Sequence, residues 1–259
     1  MKTKIHPTAI VDNKAEIDAS VEIGPYCIIK NGVTIKKGCR LLSNVIVEGS
    51  TEIGENCTIY PFSSIGFPPQ DMKYKGENTS LLIGNNNVIR EYTTVHRASV
   101  GGDMITSVGD NNFLMAYVHI AHDCKIGNHV VLANAATLAG HVLVEDHAFI
   151  GGLVAIHQFT RIGRYAMVGG FSGIGQDIPP YMIASGSRAK LFGPNAIGLK
   201  RHGFPDPTIN AIKKAYKILF REKRTLKEAI KKLQEDFPSV KEIKYLVEFI
   251  EKNKRGICR

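Results

Sequence analysis

Tryptophan is absent from this 259-residue chain, and all aromatic residues together make up only 8 % of it. So few large rings suit a thin interior rather than a broad one. Cysteine is scarce too: five residues, an odd number with no CxxC pair, give neither a disulfide framework nor a zinc knot. No apolar run approaches the length of a membrane span. The opening Met1-Lys2-Thr3-Lys4-Ile5 carries no apolar targeting stretch. A cytoplasmic protein with no stable membrane insertion is therefore expected. No nucleic-acid-binding motif is present.

What is there is a beat of six. Aliphatic residues stand at Val11, Ile17, Ile23, Ile29, Ile35, Leu41, Val47, Ile53, Ile59 and Ile65, then at Ile83, Ile89 and Val95. The beat resumes at Val108 and runs unbroken through Leu114, Ile120, Ile126, Leu132, Leu138 and onward to Ile174. A helix repeats every 3.6 residues and a long strand every two, so neither explains it. Six residues fit a short strand followed by a corner, and three such units make one triangular coil. Residues eighteen apart, such as Ile17, Ile35 and Ile53, then stack in a file. One coil cannot bury its own apolar edge, but stacked coils can. A β-sandwich would have no reason to hold one phase for so long.

Two places before each large residue sits a smaller one, including Cys27, Cys57 and Cys124, which are read as inward fillers along with Cys39. Cys39 and Cys57 are eighteen apart, so a disulfide between them is conceivable though nothing requires it. Gly and Asn near the corners (Asn31-Gly32, Glu48-Gly49, Asn85, Asn86, Asn134) suit positive φ.

This pattern resembles the left-handed β-helix of the hexapeptide-repeat transferases. The left hand is implied by that resemblance alone, because the usual crossover rule would give the opposite. Members of the family are usually trimers with active sites between prisms. The expected fold is thus an all-β left-handed parallel β-helix over residues 1–190, with a C-terminal α-helical domain over 191–259. Its first strand is placed at Lys2 to Ile5. Two interruptions, near 67–81 and 98–106, must loop outward, and loops on a rigid scaffold commonly carry binding residues. Gln70, Asp71 and Lys73 are the polar candidates of the first.

From Lys190 onward there are 18 Lys and Arg against 8 Asp and Glu, while the rest of the chain carries 15 against 16. A basic tail on a neutral prism calls for an acidic partner, whether nucleic acid, lipid surface or acidic protein. Acidic residues mixed among the bases weaken the nucleic-acid choice. The tail predicts three helices: Thr208 to Arg221, Thr225 to Leu233 and Ser239 to Lys252. The last two carry capping boxes, Thr225 with Glu228 and Ser239 with Glu242. Together they would cover the open coil end.

Histidines gather after Val108. His122 and His141 are nineteen apart, which places them on adjacent coils near one corner, and His157 lies near the same corner. His129 and His147, eighteen apart, form a separate solvated file. The cluster is open to two chemistries. One is metal ligation, as in the gamma-class carbonic anhydrases, whose ligand pair is separated by four residues on one coil; here His119 and His122 are separated by two. The other is general-base catalysis, with Asp123 or a backbone carbonyl orienting the imidazole.

The motifs His119-Ile120-Ala121-His122-Asp123-Cys124, Leu138-Ala139-Gly140-His141, His157-Gln158-Phe159 and Asn195 through Arg201 are similar to those of the acyl-carrier-protein–UDP-N-acetylglucosamine O-acyltransferases, which open lipid A synthesis in Gram-negative bacteria. The resemblance covers essentially the whole chain. It implies that His122 is the general base, that Asp123 orients it, and that the Gly140 amide donates to the thioester oxyanion. His119 and His141 would contact the sugar nucleotide or the intermediate. Asp71 and Lys73 would hold the glucosamine and acyl-hydroxyl regions. His157, Gln158, Asn195 and Arg201 would form the nucleotide and phosphate site. Gly170, beside Phe171, would set the acyl-chain ruler and leave room for a long chain. No cofactor or metal is implied. The implied partners are 3-hydroxyacyl acyl carrier protein, an acidic protein, and UDP-N-acetylglucosamine. An N-acyltransferase using a 3-amino analogue of the sugar is the alternative enzyme.

Overall fold

The computed structural model describes residues 4–259. Its chain winds as a triangular prism whose three faces are parallel sheets. Each regular coil contributes one two-residue strand to each face, as in Phe113–Leu114, His119–Ile120 and Lys125–Ile126. The three sheets hold eleven, nine and eight strands. The register is the eighteen-residue one that the beat of six requires: Leu114 pairs with Leu132, Ile120 with Leu138 and Ile126 with Val144. This is the left-handed parallel β-helix, closed at its C-terminal end by helices. The first strand is Lys4–Ile5; Lys2 and Thr3 lie outside the described residues.

The periodic residues fill the interior. Leu114, Ile120, Leu132, Leu138 and Ile150 are wholly inaccessible to solvent. Each such side chain contributes about 1.5–3 kcal/mol by leaving water, set against the entropy of ordering its coil. Cys27, Cys39, Cys57 and Cys124 occupy the small inward slots and, like Cys258, are free thiols. Cys124 Sγ donates to Ala139 O at 3.1 Å, and burial pushes its thiol up to about 12. A thiol so buried and so weakly acidic is no nucleophile.

The corners differ from the sequence expectation. Gly32, Gly49 and Asn86 do take positive φ, but Asn85 and Asn134 do not. Histidines and aromatic residues fill many of these left-handed positions instead, among them Tyr92, Tyr117, His129, His141, His147 and Phe159. Ring stacking between coils offsets the backbone strain: Phe62, Tyr92 and Tyr117 stack at 5.1 and 4.8 Å, and His129 on His147 at 4.7 Å.

Both excursions arise at one corner, where the second face turns into the third. The chain leaves after Phe67 and returns at Ser80, then leaves after His96 and returns at Ile105. The ends of each interruption read from the sequence are therefore strand: Leu81 and Thr106 are buried in it.

At the C-terminal end, Met182–Ser185 pairs with an antiparallel strand, Lys190–Pro194, which carries the sheet past position 190. Four helices follow: α1 (Ala196–Arg201), α2 (Asp206–Phe220), α3 (Leu226–Asp236) and α4 (Lys241–Glu251). The Thr225–Glu228 capping box is present on α3. The Ser239–Glu242 box is not: α4 is capped by Val240 without a side-chain bond, starting one residue later than the box suggests. Arg161 locks the tail to the prism, bonding Asp177 at 2.8 Å and the Phe249 carbonyl at 2.7 Å. No helix among the described residues is long and apolar enough to cross a membrane.

Candidate active site

The corner that carries the two excursions also carries the histidines. His122 and His141 leave successive coils there, with ring centroids 5.3 Å apart and planes nearly perpendicular. His141 in turn stacks on Phe159, one coil further, at 4.5 Å. His157 and Gln158 precede Phe159 on that coil and are exposed. His157 also lines a 530 Å³ cavity with Arg188 and Cys258 among its walls.

Asp123 sits in the left-handed conformation, φ 60°, which brings its side chain back beside its neighbour. Its Oδ2 meets His122 Nδ1 at 2.8 Å. The orienting group is thus the carboxylate rather than a backbone carbonyl. Asp123 is buried, its own amide donates to Thr106 Oγ1 at 2.8 Å, and its Oδ2 accepts the Ser99 amide at 3.0 Å, which holds the carboxylate in place. With Nδ1 engaged, His122 Nε2 is the nitrogen without a partner among the described residues. A Cβ built on Gly140 would lie 2.7 Å from that nitrogen, so the glycine backbone borders the reactive edge of the ring. Among the described residues the Gly140 amide hydrogen has no acceptor.

His119 lies on the preceding strand with Nδ1 2.7 Å from Thr94 Oγ1, and its ring meets His96 edge-on at 5.1 Å. His141 Nε2 approaches Asp123 Oδ2 to 3.8 Å. In the first excursion, Asp71 accepts a 2.6 Å hydrogen bond from the Ser99 hydroxyl. Lys73 and Gln70 are exposed beside it. The structure therefore gathers His119, His122, Asp123, Gly140, His141 and Asp71.

It does not gather Asn195 and Arg201. Asn195 caps α1 and bonds the Tyr165 carbonyl at 3.0 Å; Arg201 ends the same helix, next to His202, which packs on His147 and Tyr165. That is the corner between the third and first faces. Gly170, against Gly152, lies at the remaining corner, where Phe171 is 77 % exposed.

His122, Asp123 and His141 each offer one atom within 4.8 Å of the others, making them a possible cation trio. His122 Nδ1 and Asp123 Oδ2 are already bonded to each other, and that oxygen also accepts the Ser99 amide at 3.0 Å, so an ion bound through these two atoms would displace existing bonds. His119, needed for an anhydrase-like pair, is turned to Thr94 instead.

Sequence reasoning missed Ser99, Thr94, Thr106 and His96. All are polar residues on the coils that carry the two interruptions, and the beat of six marks which side chains point inward but not which polar neighbours meet across coils. Burial, with His119 and His122 close by, lowers His96 to about 4, and burial likewise lowers His119, His141 and His147 below the ordinary imidazole range. The unfolded chain binds a proton at each below about 6.5. Stability therefore falls as pH drops from about 6.5 towards 4, because the unfolded state takes up protons that the native state refuses. Melting temperatures across that window should decline, and His96→Asn should shallow the slope; an unchanged slope would remove His96 from the account.

A coiled prism bearing a carboxylate-oriented histidine on one corner is the architecture of a hexapeptide-repeat transferase, and the family model "Bacterial transferase hexapeptide (six repeats)" matches residues 32–67 and 105–140. The chain belongs to the UDP-N-acetylglucosamine O-acyltransferase family. The family's own second-domain model matches residues 177–258. The acyl-[acyl-carrier-protein]–UDP-N-acetylglucosamine O-acyltransferase of Thermodesulfovibrio yellowstonii is 69 % identical over 256 residues, 99 % of each chain. That of Syntrophobacter fumaroxidans is 48 % identical over 99 % of this chain and 100 % of its own. The solved structure of LpxA from Acinetobacter baumannii superposes with a TM-score of 0.96 at 46 % identity, covering 99 % of this chain and 100 % of that one.

Proposed function

We propose that this protein transfers a 3-hydroxyacyl group from acyl carrier protein to the glucosamine 3-hydroxyl of UDP-N-acetylglucosamine, the first step of lipid A synthesis, in the cytoplasm. The observation that carries the chemistry is the 2.8 Å contact between His122 Nδ1 and Asp123, which leaves Nε2 as a base beside Gly140. His122 Nε2 takes the hydroxyl proton as the sugar oxygen attacks the thioester carbon. Negative charge moves to the thioester oxygen, where the unengaged Gly140 amide donates. Asp123 stabilises the imidazolium. The intermediate collapses, the carbon–sulfur bond breaks, and His122 returns the proton to the departing thiolate. A thioester is already activated, so no metal or cofactor has a task here. Dialysis against a chelator should leave the rate unchanged; loss restored by zinc would favour an anhydrase-like metal site.

The corner geometry supports a homotrimer with composite sites. Asn195 and Arg201, assigned to the nucleotide and its phosphates, stand at a different corner from His122 in their own chain and reach such a site only from a second copy. Arg201 suits a diphosphate through its planar donor fork. On the His122 corner, Asp71, Lys73 and Gln70 hold the sugar and acyl hydroxyl, while His119, His141, His157 and Gln158 line the wall. Outward residues on the second face shrink from His119 to Thr137, Ala155 and Gly173, forming a trough that leads an acyl chain towards Gly170. The bases of the tail, Lys200, Lys213, Lys214 and Lys217 among them, steer acidic carrier protein to the mouth.

Transfer from 3-hydroxyacyl carrier proteins of several lengths to UDP-N-acetylglucosamine tests the proposal. Product with the 3-hydroxyl sugar supports it. Product only with the 3-amino analogue would replace it with N-acyl transfer.

A further inference from the structure

Ser99 does not belong to the periodic scaffold, yet it is wholly buried beside the catalytic corner. Its amide donates to Asp123 Oδ2 at 3.0 Å, and its hydroxyl donates to Asp71 Oδ2 at 2.6 Å. The same Asp123 oxygen meets His122 Nδ1 at 2.8 Å. One residue of the second excursion therefore ties a carboxylate of the first excursion to the pair that orients the base.

We infer that Ser99 is a positioning residue that fixes Asp71, and with it the acceptor sugar, relative to the His122–Asp123 pair. The inference rests on the acyl-transfer proposal above. Among the described residues the only other bond to the Asp71 carboxylate comes from the Lys73 amide, 3.0 Å from Oδ1, and it merely sets the carboxylate within its own loop. The Ser99 bond references it to the scaffold, and it is the foremost cause holding the Asp71 carboxyl below its usual range. A purely structural latch is a weaker account, because the excursion already has one. Arg97 donates to the Gly66 carbonyl at 2.7 Å, in the strand before the loop, and to the Tyr74 hydroxyl at 3.1 Å, in its middle, tying the loop to the prism without Ser99. Ser99→Ala keeps the amide bond to Asp123 and removes only the hydroxyl, so it separates Asp71 placement from base orientation.

A hydrogen bond to a charged group is strong enough for its loss to cost tenfold or more in binding. Ser99→Ala should raise the KM for UDP-N-acetylglucosamine about tenfold, with kcat changed less and the melting temperature kept. In an Asp71→Ala background the same substitution should add almost nothing, because the partner it served is gone. Kinetics of Ser99→Ala equal to the parent would overturn the inference. So would effects that multiply in the double variant, or a lowered melting temperature accounting for the loss. A parent protein that transfers no acyl group to the sugar would instead sink the functional proposal, so the two failures are distinct.

Discussion

His122→Ala is expected to lower kcat about a thousandfold, within the range for removing a positioned general base. Little of the fold depends on this imidazole. It points outward from a corner, its side chain is 16 % exposed, and it contributes nothing to the file of Ile120, Leu138 and Ile156 inside. Asp123, left behind, still accepts the Ser99 amide on the oxygen that His122 vacates. Rate should therefore collapse without loss of melting temperature or assembly. Single-turnover transfer from 3-hydroxyacyl carrier protein, run beside calorimetry, measures both. A variant retaining a tenth of parental kcat would show that the proton goes elsewhere, with His141 the next candidate.

Gly140→Ala should be nearly as damaging, by at least a hundredfold in kcat, for a reason of space. The added Cβ would stand 2.5 Å from His122 Cε1 and 2.7 Å from Nε2, closer than carbon tolerates, and a tight 3.1 Å from Nδ1. The backbone there is in an ordinary region, so the methyl brings no conformational penalty; the ring must move instead. Moving it breaks the 2.8 Å bond to Asp123 and misdirects Nε2. Gly175→Ala is the matched control, since a Cβ there meets nothing within 4 Å. If Gly140→Ala transfers acyl groups at the parental rate, the ring is not where the structure puts it during catalysis.

Much of this was legible from residues alone, for definite physical reasons. A closed prism enforces one inward phase, so the period of six had to be written into the chain, and the spacing of His122 from His141 then translated directly into neighbouring coils. Asp123 was legible because it is adjacent in sequence to the ring it orients. Ser99 was not: it reaches Asp71 and Asp123 across 28 and 24 residues of chain, from a segment with no period at all. Helix α1 was missed because six residues are too short for an apolar stripe. The Ser239 cap failed although its four-residue pattern was present, because the helix begins only at Lys241 with Val240 as its cap. Aromatic corners were missed because the preference of Asn and Gly for positive φ is a single-residue property, whereas ring stacking exists only between coils.

Because both excursions leave and re-enter the prism at the same corner, they are inserted without disturbing the count. Ser80 still pairs with Ser50 and with Ile105, as though the intervening residues were a normal turn. Their lengths and sequences can thus change while every strand beyond them keeps its partner. A scaffold of this kind separates inheritance into two ledgers: the coils tolerate almost no insertion, and the loops over the histidines tolerate a great deal. Grafting the 68–79 segment of a relative onto this prism should therefore alter which sugar is held without unsettling the fold that holds it.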